Sequence, residues 1–109
     1  MKRRSAADEQ AESASLQALS SAMAALTRPE DVQAFLEDLC TPAELEAMGD
    51  RWRVVPLLQD NVPYREIHDR TQVSVTTIGR VARTLERGAG GYGIAAARLS
   101  TPPAASNAG

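Results

Sequence analysis

The chain is short of the residues that carry most enzyme chemistry. Its 109 residues include one cysteine, one histidine and few aromatic side chains, namely Phe35, Trp52, Tyr64 and Tyr92. The single cysteine, Cys40, cannot close an internal disulfide, which fits a reducing compartment such as the cytoplasm. Nothing beside it in sequence activates the thiol, so a small packing residue is expected there. No cysteine, serine or carboxylate group is spaced around His68 as a metal site or a triad. The glycine-rich run from Gly88 to Gly93 follows a helical pattern instead of leading into one, so it is no phosphate loop. These absences argue against an enzyme and call for no cofactor or metal. No apolar run approaches the roughly 18 residues of a membrane span. The basic start, Met1-Lys2-Arg3-Arg4, leads into polar residues and not into the apolar core of a signal peptide. Alanine and leucine dominate the apolar fraction, which predicts helices over sheets and one small domain.

Net charge is −2, an unpromising figure for a nucleic-acid ligand until it is mapped. Residues 1–4 carry three positive charges. Residues 5–50 hold ten acids against Arg28 alone, whereas residues 51–98 hold eight arginines against Asp60, Glu66, Asp69 and Glu86. The local potential of the second half, not the net charge, decides whether phosphates are attracted. An unevenly charged solvated surface would give the same count, so the asymmetry alone settles nothing.

Apolar spacing divides the chain into helices. Residues 1–14 are polar and weakly periodic and are expected to be flexible. Leu16, Leu19, Met23 and Leu26 then recur at helical spacing, predicting a first helix over 13–26. Pro29-Glu30-Asp31 opens a second, with proline and acids in the first turn, and its apolar face is Val32, Phe35, Leu36 and Leu39. Thr41-Pro42-Ala43-Glu44 is a helix start with threonine as N-cap and a capping-box glutamate. The third helix carries Leu45, Met48, Trp52, Val55 and Leu58, and Pro56 should kink or end it near Val55. The segment after Gly88 should end the last helix, leaving 93–109 as a flexible tail. The expectation is an all-α, five-helix domain over 15–92. The first two helices have apolar faces that one small chain can hardly cover, so a homodimer is their simplest outlet.

Residues 63–88 read as a helix-turn-helix. Ile67 and Thr71 face inward from a short helix over 64–71. Gln72, Val73 and Ser74 form a turn, and Ile78, Val81, Ala82 and Leu85 line a second helix over 75–87. The gap suits two helices crossed at a fixed angle, the second free to enter a DNA major groove. Ser74 is a good N-cap, which puts Val75, Thr76 and Thr77 at the tip, where hydroxyls and methyls can meet base edges. Gly79 would allow close approach to the duplex, while Arg65, Arg80, Arg83 and Arg87 could reach phosphates. Such segments commonly have a small residue near position 68 and glycine near position 72. His68 is therefore expected to point outward, on the DNA side, and Gln72 to accept about 1 kcal/mol of strain if its φ is positive.

The stretch Leu39-Cys40-Thr41-Pro42-Ala43-Glu44-Leu45-Glu46-Ala47-Met48-Gly49-Asp50-Arg51, with Tyr64-Arg65-Glu66-Ile67 and Thr76-Thr77-Ile78-Gly79-Arg80-Val81, resembles the Trp repressor superfamily. Within it the chain is similar to the Trp-repressor-related YerC/YecD family, where an ending like Gly90-Gly91-Tyr92 is typical. The resemblance covers about residues 28–92. It implies an intertwined homodimer whose recognition helices enter successive major grooves of double-stranded DNA, and it implies repression as the sense of regulation. It also implies a ligand site at Thr41, Arg51, Arg80 and Thr84. Val81 stands where the repressor has glycine beside the indole, so tryptophan is not expected as corepressor. Salt bridging and phosphate contact are the preferred roles for Arg51 and Arg80. Two functions stay open: a sequence-specific transcriptional regulator, or a protein-interaction module that keeps the fold without operator binding.

Overall fold

A computed structural model describes residues 5–100. Among them every regular element is helical: α1 (Ala6–Ala24), α2 (Pro29–Leu39), α3 (Pro42–Gln59), α4 (Tyr64–Thr71), α5 (Val75–Arg87) and α6 (Gly91–Ser100). The chain forms two compact units, one ending at Pro42 and the other beginning at Ala43.

In the first unit, α1 starts earlier than apolar spacing suggests. Ser5 Oγ accepts the Asp8 amide at 3.1 Å, and the Asp8 carboxylate accepts the Ser5 amide at 3.2 Å. This reciprocal cap satisfies two amides that a helix start leaves open, and Asp8 and Glu9 suit the positive end of the dipole. The expected flexible segment is thus helical from residue 6, while residues 1–4 lie outside the described residues. Pro29 occupies the first turn of α2, and Arg28 pairs with Glu30 at 2.9 Å. A hydrogen bond from its own backbone, and then Arg28, hold the Glu30 carboxyl below the usual carboxylate range. Leu19, Met23, Leu26, Val32, Phe35 and Leu36 are only half-buried, and no residue of α1 or α2 is fully buried. Cys40, which follows α2, is also half-buried.

The second unit has a true core. Val54 and Val55 of α3, Ile67 of α4, Val73 of the turn, and Ile78 and Val81 of α5 are buried together. Trp52, Leu57, Leu58, Val62, Leu85 and Tyr92 pack around them. Burying such a side chain contributes about 1.5–3 kcal/mol, so this small cluster is what fixes the crossing of α3, α4 and α5.

Two expectations are corrected here. Of the kink or early end expected at Pro56, the early end does not occur: the third helix runs through Pro56 to Gln59. Proline removes one backbone donor, yet Val54 and Val55 before it and Leu57 and Leu58 after it hold both sides of the helix to the core. Asn61, at φ 60°, then turns the chain toward α4. The helix count is also six among the described residues, not five. Gly90 at φ 90° reverses the chain, and α6 follows, built around the alanines at 95–97. Alanine has the highest helix propensity, and the Trp52 and Tyr92 rings, 6.4 Å apart, tie α6 to α3. The expected flexible tail is therefore helical to Ser100, and residues 101–109 lie outside the described residues.

Candidate nucleic-acid interface

Helices α4 and α5 occupy the spans that apolar spacing assigns to them, 64–71 and 75–87. Three residues join them. Gln72 adopts a left-handed conformation at φ 64°, so the strain of about 1 kcal/mol expected of a non-glycine residue there is present. Val73 then buries its side chain in the core, and Ser74 caps α5. Ser74 Oγ accepts the Thr77 amide at 3.1 Å and donates to Thr77 Oγ1 at 3.0 Å.

Helical periodicity splits α5 into two faces. Ile78 and Val81 are buried, with Ala82 and Leu85 partly so. Opposite them, Thr76, Arg80, Arg83 and Arg87 follow at four-, three- and four-residue steps, which places them in one row. All of them are exposed. Val75, at the tip, is 52% exposed. Arg65, on α4, is exposed as well. None of Arg65, Arg80, Arg83 and Arg87 has an ion-pair partner among the described residues. By contrast Arg70 is engaged by Glu66, and Arg53 by Asp50 at 2.9 Å. Gly79 is half-buried, and a methyl group built on it would meet nothing within 4 Å.

His68 departs from expectation. It does not point away from the turn: the ring is half-buried, and Nδ1 lies 2.8 Å from the Val73 carbonyl oxygen. A carbonyl only accepts, so Nδ1 carries the proton and donates. Arg53 was not among the expected site residues. It donates from α3 to the Thr71 carbonyl at 3.1 Å, across 18 positions of sequence. The spacing of Asp50 and Arg53 hints at their ion pair, but nothing in sequence points to Thr71.

The residues carried over as a ligand site are divided between the two units. Thr41 belongs to the first unit and Arg51, Arg80 and Thr84 to the second. All four are exposed. Thr84 Oγ1 donates to the Arg80 carbonyl at 3.0 Å within α5. Val81 is 1% exposed and part of the core. Among the described residues, no group of histidine, cysteine and carboxylates could hold a metal ion, and no helix is long and apolar enough to cross a membrane.

The sequence profile described as Trp repressor protein matches residues 14–100, a span that contains the core, the turn and the arginine row. The chain belongs to the Trp repressor family. This is a family of regulators, not of enzymes. The chain is also 34% identical over 70 residues to the uncharacterized protein YerC of Bacillus subtilis (strain 168), across 64% of this chain and 67% of that one. No solved structure matches.

Proposed function

We propose that the chain is a dimeric, sequence-specific DNA-binding transcriptional regulator, with α4, the turn and α5 acting as a helix-turn-helix. The observation that carries this reading is the row of Thr76, Arg80, Arg83 and Arg87 along α5, exposed and opposite the buried Ile78 and Val81. A helix held by one face and basic along the other can lie in a major groove with its guanidiniums on phosphates. Arg65, Arg80 and Arg83 anchor the backbone. Val75, Thr76 and Thr77 read base edges from the tip, behind the Ser74 cap, and Gly79 lets the duplex come close.

Dimerisation is supported by the first unit, whose apolar side chains are at best half-buried. A second copy would cover them and set two α5 helices about one DNA turn, roughly 34 Å, apart, a docking mode for which the Trp repressor is itself a type example. Repression is the sense of regulation that the family name supplies. Binding to DNA would place it in the cytoplasm. Tryptophan is not the effector in this reading, because Val81 stands where the resemblance places a glycine beside the indole, and its side chain belongs to the core.

Selection of genomic DNA fragments by the purified protein at about 0.15 M salt, where weak surface electrostatics is screened, tests the proposal. Enrichment of a few fragments that share a two-fold symmetric sequence is expected. Uniform weak recovery would defeat it. The acidic first unit favours a second reading, a protein-interaction module without an operator. In that case any DNA binding would show little salt dependence, since few phosphates would release counterions.

A further inference from the structure

The turn before α5 contains a left-handed residue that is not glycine, and three of its backbone groups, the Thr71 carbonyl and the Val73 amide and carbonyl, are held by side chains. The Gln72 amide donates to the His68 carbonyl at 2.7 Å, and Gln72 Nε2 donates to the Asp69 carbonyl at 3.1 Å. The Val73 amide donates to Thr71 Oγ1 at 3.1 Å, and that hydroxyl donates to the Ile67 carbonyl at 2.7 Å. The Val73 carbonyl receives His68 Nδ1, and the Thr71 carbonyl receives Arg53. Val73 is thus gripped at three points: its side chain by the core, its amide by Thr71 and its carbonyl by His68.

We propose that His68 and Arg53 are positioning residues that latch the turn and so fix the tip of α5, in place of the glycine that would hold a left-handed turn without help. The geometry gives the two side chains separate tasks. His68 reaches forward from α4 onto the Val73 carbonyl, closing a ring that keeps Gln72 left-handed. Arg53 ties that closed turn to α3, and its cation meets the negative end of the α4 dipole at Thr71. The residue after Val73 is the cap of α5, so any slackness in the turn passes directly to Ser74, Thr76 and Thr77. Its effect on base reading rests on the function proposed above; the latch itself does not.

The test uses the full chain and four variants: His68→Ala, His68→Asn, His68→Ala with Gln72→Gly, and Arg53→Ala. The asparagine amide nitrogen falls near the place of Nδ1 and keeps the donor. Amide hydrogen exchange is followed at Val73 and Thr77. Binding is measured to a fragment selected by the wild type and to a shuffled fragment of equal length. His68→Ala should speed exchange at both amides about ten-fold and lower the ratio of selected to shuffled affinity by a similar factor. His68→Asn should stay near wild type, and adding Gln72→Gly should recover the ratio, because glycine adopts the turn unaided. Exchange unchanged in His68→Ala, or His68→Asn as impaired as His68→Ala, overturns the latch. Should His68→Ala fail to fold, Arg53→Ala decides, since that exposed side chain can be removed without opening the core, and the same exchange signature is expected. If the wild type selects no fragment, the DNA-binding reading fails and exchange alone decides the latch.

Discussion

Leu36 and Ile78 both lie on the apolar face of a helix, yet Ile78 is fully buried and Leu36 only half-buried. The difference is general to the two units. The second brings Val54, Val55, Ile67, Val73, Ile78 and Val81 into one cluster, so its helices are fixed by the chain's own side chains. The first has the acids and the stripe of Leu19, Met23, Val32, Phe35 and Leu36, but buries none of them fully. Helices owe most of their stability to packing of an apolar face. The second unit therefore supplies its own reason to fold, whereas the first leaves its apolar side chains partly exposed.

The largest expected effect breaks the self-sufficient unit. Ile78→Ala removes buried methyl groups at the centre of the core and should cost about 2–5 kcal/mol. Because the core is internal to one chain, the loss measured by thermal unfolding should be the same at low and high protein concentration. A loss below about 1 kcal/mol would mean that the cluster does not hold α5 to α3 and α4.

Phe35→Ala asks the matching question of the first unit. Phe35 is only half-buried in the chain, so if nothing else covers it, truncation should be nearly neutral. If a second copy covers it, the loss should be roughly 2 kcal/mol, less than the range of about 3–5 kcal/mol for a phenylalanine buried from full exposure because the ring is already half-buried, and should appear as dissociation in sedimentation velocity. The wild-type melting temperature should then rise with concentration, as linkage to self-association requires. A concentration-independent melting temperature and a monomer in sedimentation would remove the case for a dimer.

The same contrast explains how much of the fold was legible in the sequence. The spans of α4 and α5 were legible because Ile67, Ile78, Val81 and Leu85 sit at helical spacing on either side of a short turn, and Ser74 marks the restart. In α1 the capping pair Ser5 and Asp8 was also written in the sequence, but apolar periodicity starting only at Leu16 outweighed it. The alanines at 95–97 signalled α6, and the glycines before them masked the signal by reading as a stop. Pro56 misled because its cost is local while the burial that offsets it comes from Val54, Val55 and their distant partners. The hydrogen bonds of His68 to Val73 and of Arg53 to Thr71 had no sequence signal at all. They exist only once α3, α4 and the turn are folded against each other.

A smaller effect sharpens the reading of the arginine row. Arg80 is exposed and has no ion-pair partner among the described residues. Arg80→Ala should leave thermal stability within about 0.5 kcal/mol of wild type. It should weaken binding on every DNA sequence and flatten the slope of log affinity against log salt by about 0.9 for each phosphate that the protein no longer neutralises. Thr76→Ala, one turn closer to the tip, should instead relax preference among sequences. If both leave binding unchanged, α5 does not face the DNA.

The smallest change is the most discriminating, because stability and function should move in opposite directions. Gly79 lies inside α5 on the rim between the buried face and the arginine row, where an added methyl group meets nothing in the free chain. Glycine within a helix costs roughly 0.5–1 kcal/mol relative to alanine. Gly79→Ala should therefore raise thermal stability by about that amount. If α5 lies in a major groove, the same methyl group should meet the duplex and lower DNA affinity, while Thr76 and Arg80 remain in place. A variant both more stable and equally tight on DNA would show that position 79 faces open solvent in the complex, and the docking of α5 would have to be rotated away from it.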